Sequence, residues 1–220
     1  MGETTPSAPK LRREQISGMN IHYIMWSLDY FLDAQQRIGF KSIELAEVLG
    51  APCMSINSGW GDWDEDREEA WKRSREHLSI LADFAGEHGV TLTMESLRPE
   101  ESNLVVTLAD ARRMLDEVAS PNIAPMVDTT AMGVAGETLD QWFAEFGDGS
   151  IKNMHFIDGD PYGHLVWGDG KHDMDEFVAV LNAHGYEGYL AQEITDGRYF
   201  DDPAGADERN MRAFERYLVD

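Results

Sequence analysis

The sequence is poor in cysteine, in basic residues and in long apolar runs, and each shortage removes a class of function. A single cysteine, Cys53, excludes an internal disulfide framework and points to a reducing compartment. It lies in the apolar run Cys53-Met54-Ser55-Ile56, which suits a buried small side chain better than a nucleophile. Lysine and arginine number 18 against 41 aspartates and glutamates, a formal net charge of −23. That balance repels a phosphate backbone or an anionic membrane surface, so neither nucleic acid nor membrane is an expected partner. No apolar run approaches the ~20 residues of a membrane span. The opening MGETTPSAPKLRRE has no apolar segment of a secretory signal. Residues 1–18 therefore read as a disordered tail, residues 19–220 as one domain, and the protein as cytoplasmic.

What is present is a regular alternation. Strands are predicted at Met19–Trp26, Lys41–Leu45, Cys53–Asn57, Val90–Leu97, Ile123–Thr129, Ile151–Ile157 and Gly188–Thr195. Helices are predicted from Ser27 to Arg37, Glu65 to His88, Leu108 to Ala119, Leu139 to Phe146, Met174 to His184 and Asp207 to Leu218. In the second of these, Trp71, Leu78, Leu81 and Phe84 form the expected apolar stripe. Such alternation implies an α/β fold with a parallel sheet, either doubly wound or closed into a barrel. The glycine fingerprint of a doubly wound dinucleotide binder does not follow the first strand. A barrel gathers its chemistry at the carboxyl ends of its strands, and acidic residues fall there.

Four predicted strands end in a potential metal ligand: Glu95, Asp128, His155 and Glu193. Singly, each has an ordinary explanation. Glu95 or Glu193 would pair with Arg98 or Arg198, and His155 would be a satisfied core histidine. Together, at the ends of consecutive parallel strands, they form a shell of three carboxylates and one imidazole. That shell suits Mn²⁺, Mg²⁺ or Co²⁺ better than a thiolate-rich structural zinc site does. After His155 comes a long glycine-rich loop holding Asp158, Asp160, His164 and Trp167-Gly168-Asp169-Gly170. Loops of that length inside a domain usually carry a site.

The segment ESLRPEESN, the MVDTTAM turn, the HFIDGDPYGHLVWGDG loop and the QEIT strand resemble the xylose isomerase-like barrels of sugar isomerases and epimerases. Within them the similarity is to ketose 3-epimerases of the fructoselysine 3-epimerase type. The resemblance implies a (β/α) TIM-type barrel in carbohydrate metabolism with one divalent metal ion, Mn²⁺ foremost and Co²⁺ or Mg²⁺ as alternatives. It implies Glu95, Asp128, His155 and Glu193 as metal ligands, with Glu95 and Glu193 also the acid/base pair. Glu101 would bind substrate or orient Glu95, and His164 would contact substrate hydroxyls. Trp60 and Trp167 are the aromatic candidates for the substrate; Trp26, Trp63 and Tyr162 also lie near strand ends. The implied reaction inverts carbon 3 of a ketose or ketosamine through a cis-enediolate.

Two departures from the family pattern bear on this expectation. Ala131 stands where a histidine is common, which shifts substrate choice away from free fructose or tagatose. Between Leu45 and Ala46 more than one βα unit of roughly 30 residues is absent. Seven strands stand where a closed barrel has eight, so the barrel is shortened by about one unit. An open seam favours a homo-oligomer. Competing readings are an inosose-type dehydratase or isomerase on the same fold and a degenerate, non-catalytic barrel. A DNA-repair endonuclease of the related barrel would need more histidines and a basic surface.

Overall fold

The structure, a computed structural model, describes residues 10–19, 26–38, 42–44 and 51–219. In chain order the elements are β1 (Leu11–Arg12), β2 (Ile16–Met19), α1 (Leu28–Ile38), β3 (Ser42–Glu44), β4 (Cys53–Asn57), α2 (Arg67–Glu87), β5 (Thr91–Glu95), α3 (Leu108–Val118), β6 (Ile123–Asp128), α4 (Thr129–Val134), α5 (Leu139–Phe146), β7 (Asn153–His155), β8 (Asp158–Asp160), β9 (Tyr162–Leu165), α6 (Met174–Ala183), β10 (Tyr189–Gln192), α7 (Pro203–Phe214) and β11 (Leu218–Val219). Seven strands form one parallel sheet in the order β3-β2-β10-β7-β6-β5-β4. The sheet curls as a TIM-type barrel does, with helices outside. The layer between the sheet and its helices is apolar, with Met94, Val127, Met154 and Leu190 all fully buried. Two small pairs stand apart. β1 and β11 lie parallel, and β8 and β9 make an antiparallel hairpin in the loop after β7.

The sheet ends at β3 and β4. Residues 45–52 join these two strands, whereas a crossover between parallel neighbours takes a dozen residues or more. Among the described residues β3 and β4 do not pair, so the seven expected strands and the seam between the second and third are both present. The predicted junction at Leu45/Ala46 itself lies outside the described residues.

The first strand differs from expectation. Residues 11–18, read as tail, contain β1, a 3₁₀ turn at Arg13–Gln15 and most of β2. β2 runs from Ile16, which registers with Leu190 of β10, to Met19, where the predicted strand Met19–Trp26 begins; residues 20–25 of that prediction lie outside the described residues. Polar residues disguise this strand. Gln15 is buried and donates to the carbonyls of Tyr186 and Gly188, at 3.1 and 3.4 Å. Gly18 lies so close to Gln35 that a side chain there would overlap it.

The α2 stripe also differs. Trp71 and Leu78 are buried as expected, but Leu81 and Phe84 are exposed. The face turned inward is Ala70, Trp71, Ser74, Leu78, Ala82 and Ala85. Alanines let the helix approach β5 closely, while a reading by bulk selects the larger residues. Helix α7 begins four residues before its predicted start, because Asp202 caps it and Pro203 fills its first turn.

Candidate metal centre

Strand geometry delivers the ligands one at a time. Glu95, Asp128 and His155 are the last residues of β5, β6 and β7, and Glu193 directly follows β10. Those four strands are consecutive in the sheet. Asp128 registers with His155, and His155 with Ala191, so the side chains leave the sheet at one level. One ligand atom from each of Glu95, Asp128, His155 and Glu193 falls within 4.8 Å of all the others.

His155 is at the centre. Its Nδ1 lies 2.7 Å from Glu95 Oε1, 3.0 Å from Glu193 Oε2 and 3.6 Å from Asp128 Oδ2. Asp128 divides its work between its two oxygens. Oδ1 accepts the Ala131 amide at 2.7 Å and so caps α4. Oδ2 is buried and accepts no hydrogen bond. Thr129 ties the same turn to β7, accepting the Ile157 amide at 3.0 Å.

His164 returns to the cluster from the hairpin. Its Nδ1 lies 3.0 Å from Glu193 Oε2 and its Nε2 3.5 Å from Asp128 Oδ2. Its carbonyl accepts the Thr195 amide at 3.3 Å, which seals the hairpin onto the strand end that carries Glu193. The loop is held by Asp158, a residue whose role was not legible in the sequence. Its buried carboxylate accepts four backbone amides, those of Gly159, Gly168, Gly170 and His172, at 2.8–3.0 Å. Gly170 is required there, since a Cβ would collide with that carboxylate.

The electrostatics are those of a crowded anionic site. Burial, with the charges of Glu193 and Asp128, pushes the Glu95 carboxyl up to about 7 against the pull of His155. Burial also raises Glu193, but attraction and hydrogen bonds from His155 and His164 outweigh it and leave that carboxyl lowered. Burial disfavours the charged forms of both histidines, yet the surrounding carboxylates raise them above their ordinary value. In this arrangement imidazolium charge offsets the carboxylates.

The donor set fits a divalent cation. Asp128 Oδ2 is a buried carboxylate oxygen without a hydrogen bond, its nearest imidazole nitrogens 3.5 and 3.6 Å away, and a cation among these ligands would give it a direct partner. Three carboxylates and an imidazole supply the hard oxygen and nitrogen atoms such an ion takes.

The remaining expected residues are placed as follows. Arg98 and Arg198 do not pair with Glu95 or Glu193; they bind Glu101 and Asp196. Glu101 is thus engaged by Arg98 and makes no hydrogen bond to Glu95. Trp60 stands partly exposed on the loop after β4, edge-on to Trp63 at 5.5 Å. That loop is stitched to the β5–α3 loop by Ser102 and Asn103. Trp26 stacks on Tyr30, and Tyr162 is exposed. Trp167 is not brought to the carboxylates. It is buried in the main core against Phe156 and Phe177, its indole N–H donating to the Phe156 carbonyl at 3.0 Å.

Comparison with known proteins bears on the family and the fold. Over 164 residues the chain is 30% identical to fructoselysine 3-epimerase of Shigella flexneri, covering 74% of this chain and 59% of that protein. It is 27% identical over 195 residues to 3-dehydro-D-guloside 4-epimerase of Escherichia coli K12, covering 80% and 70% of the two chains. The chain spans about three fifths of the length of the fructoselysine 3-epimerases it matches. The fold superposes on 3-keto-D-glucoside 4-epimerase from E. coli with a TM-score of 0.73 at 17% identity, over 91% of this chain and 98% of that one. Residues 15–217 carry the family's sequence pattern, from the turn before β2 to the residue before β11, and so the chain belongs to the xylose isomerase-like TIM barrel family.

Proposed function

We propose that the chain is a divalent-metal-dependent sugar epimerase that inverts carbon 3 of a ketose or ketosamine. The observation that carries this reading is the convergence of two glutamates from separate strand ends on one imidazole nitrogen, Glu95 at 2.7 Å and Glu193 at 3.0 Å. Epimerisation beside a carbonyl needs one group to take a proton from carbon and a second to return one from the other face. Glu193, steadied by His155 and His164, is suited to hold the negative charge and take the proton. Glu95, in the more desolvated position, is suited to return one. A hydrogen on carbon next to a ketone is weakly acidic, and its loss leaves an enediolate. Glu95, Asp128, His155 and Glu193 would hold the metal ion, Mn²⁺ in the first instance, which supplies Lewis-acid stabilisation of developing negative charge. His164 borders the same space and would orient substrate hydroxyls. The relatives' names, which specify fructoselysine, ribulose and psicose as well as a guloside, support a small sugar as substrate.

The test is proton–deuterium exchange followed by NMR in D₂O with Mn²⁺-loaded protein. Fructoselysine, fructose, tagatose and psicose are the substrates. Exchange at carbon 3 is expected, and Glu193→Gln is expected to slow it by at least about 10²-fold, the usual contribution of a positioned base. Exchange at carbon 4 of a keto-glycoside, with none at carbon 3 of any ketose, would replace this reading with that of the 4-epimerase relative.

A further inference from the structure

The β4 side of the sheet lacks the defences that edge strands usually carry. β4 pairs with β5 in unbroken register from Cys53 to Asn57, and no strand pairs with its outer edge among the described residues. Its sequence, Cys-Met-Ser-Ile-Asn, holds no charge, proline or bulge, the common means of refusing a further strand. None of the five residues is buried, whereas four of five are buried in β5 and all six in β6. The other edge, β3, is three residues long and ends in Glu44. Of the two edges, β4 is the one open to a partner strand.

The helix above that edge matches it. α2 packs on β5 and α3 on β6, so the flank of α2 turned away from α3 overhangs β4. Trp71 marks the α3 side, with the Arg113 guanidinium over its ring and its indole N–H donating to Glu117. Glu68, which also binds Arg113, lies on that side too. At ~100° per residue, Leu81 and Phe84 lie about 80° and 140° round the helix in the other sense. They are 44% and 61% exposed, and Ile80 at the crest is 65% exposed. Met54 pairs with Leu92 and so faces the layer between sheet and helices, yet it is 41% exposed. From Arg73 through His77, Leu81 and Phe84 to His88 this flank has no carboxylate, in a chain that holds 41 of them. With a net charge of −23, a surface that meets its own copy has to be free of like charge.

We propose that two copies of this chain join here about a two-fold axis, β4 pairing antiparallel with the β4 of the second copy and the Leu81–Phe84 flanks of the two α2 helices packing together. A two-fold sets a strand antiparallel to its own copy, which satisfies both open edges at once and closes the assembly at two. Each sheet gains an eighth strand and a covering helix, the unit that a seven-stranded sheet lacks. With α2 about 31 Å long and the strand and helix layers together ~20 Å deep, each copy presents about 600 Å² in projection, near the ~800 Å² of rough accessible surface that stable partners bury.

Sedimentation of the full chain in ~0.5 M NaCl, which shortens the reach of the overall repulsion, should show a particle of twice 24.8 kDa. Phe84→Glu is expected to weaken the dimer by about 10- to 100-fold, the contribution of one large apolar side chain to a contact, with the circular dichroism unchanged. Tyr162→Glu, at an exposed position on the hairpin, should leave the mass as it is. Hydrogen exchange should find the alternate β4 amides that face away from β5 protected in the dimer and open in Phe84→Glu. A wild-type monomer at every concentration from roughly 1 to 100 μM overturns the proposal, and so does a particle larger than two copies. A dimer that Phe84→Glu leaves intact, or whose outer β4 amides exchange as fast as in that variant, places the contact elsewhere and overturns it as well. If Phe84→Glu does not fold, Leu81→Glu is judged by the same mass and exchange readings.

Discussion

Asp158 and Asp160 are two residues apart in the same loop and have opposite fates. Asp160 is exposed and pairs with Lys171 at 2.7 Å, a contact of the kind that contributes little. Asp158 is buried and takes two amides on each oxygen. Asp158→Asn would set an amide N–H₂ against two backbone donors and is expected to cost about 3 kcal/mol. Urea unfolding reads that loss, and hydrogen exchange should show the Gly168, Gly170 and His172 amides losing protection first. The four strand-end residues were legible in the sequence because a strand's last residue is fixed by where its apolar run stops. Asp158 and Arg98 were not, since the partner of a loop side chain depends on how the loop folds back. Trp167 was misplaced for the same reason: its glycine-flanked turn suggests exposure, but the loop tucks the ring inside.

Among the elements, those bounded by strong punctuation were read closely. β4 and α5 fall where the sequence puts them, with Thr138 and Gln141 forming a capping box on α5. The Ile16–Gly18 part of β2 was missed because Gln15, Ser17 and Gly18 satisfy a buried strand without looking apolar. The end of α6 yields a second prediction. His184 caps that helix and donates to Asp148 at 2.7 Å and Asp140 at 3.3 Å. Hydrogen bonding to Asp148 comes first among the causes that raise its pKa above 6.5, and a helix carboxyl end favours the same charged form. A raised histidine pKa means that the folded state holds the proton more tightly. Its stabilising contribution is therefore complete below pH 6.5 and is lost as pH rises through the folded-state value. The stability difference between wild type and His184→Gln should shrink across that window, measured as urea midpoints from pH 5.5 to 8.5 (roughly one to two units either side of the histidine range).

At the scale of the whole molecule, a net charge of −23 makes the chain repel itself. Raising NaCl from ~0.02 to ~0.5 M shortens the reach of that repulsion severalfold. The melting temperature is expected to rise by about 2–5 °C, and an unchanged value would mean that local pairs already cancel the field. The sheet's open order, with β3 and β4 at its two edges, leaves the four strands that carry the site in its interior. The candidate metal centre is therefore buttressed on both sides by paired strands, away from the seam. At the opposite extreme of the chain, Leu11 and Arg12 lie in register beside Leu218 and Val219. Because the two strands are parallel and enter from opposite termini, tension applied between residues 10 and 219 loads them in shear. Two rungs would yield first and release slack at both ends. The pull would then pass at the amino-terminal end to β2, which is hydrogen-bonded along Ile16–Gly18 to β10, so the sheet that carries the site would act as the molecule's second and stronger mechanical clamp.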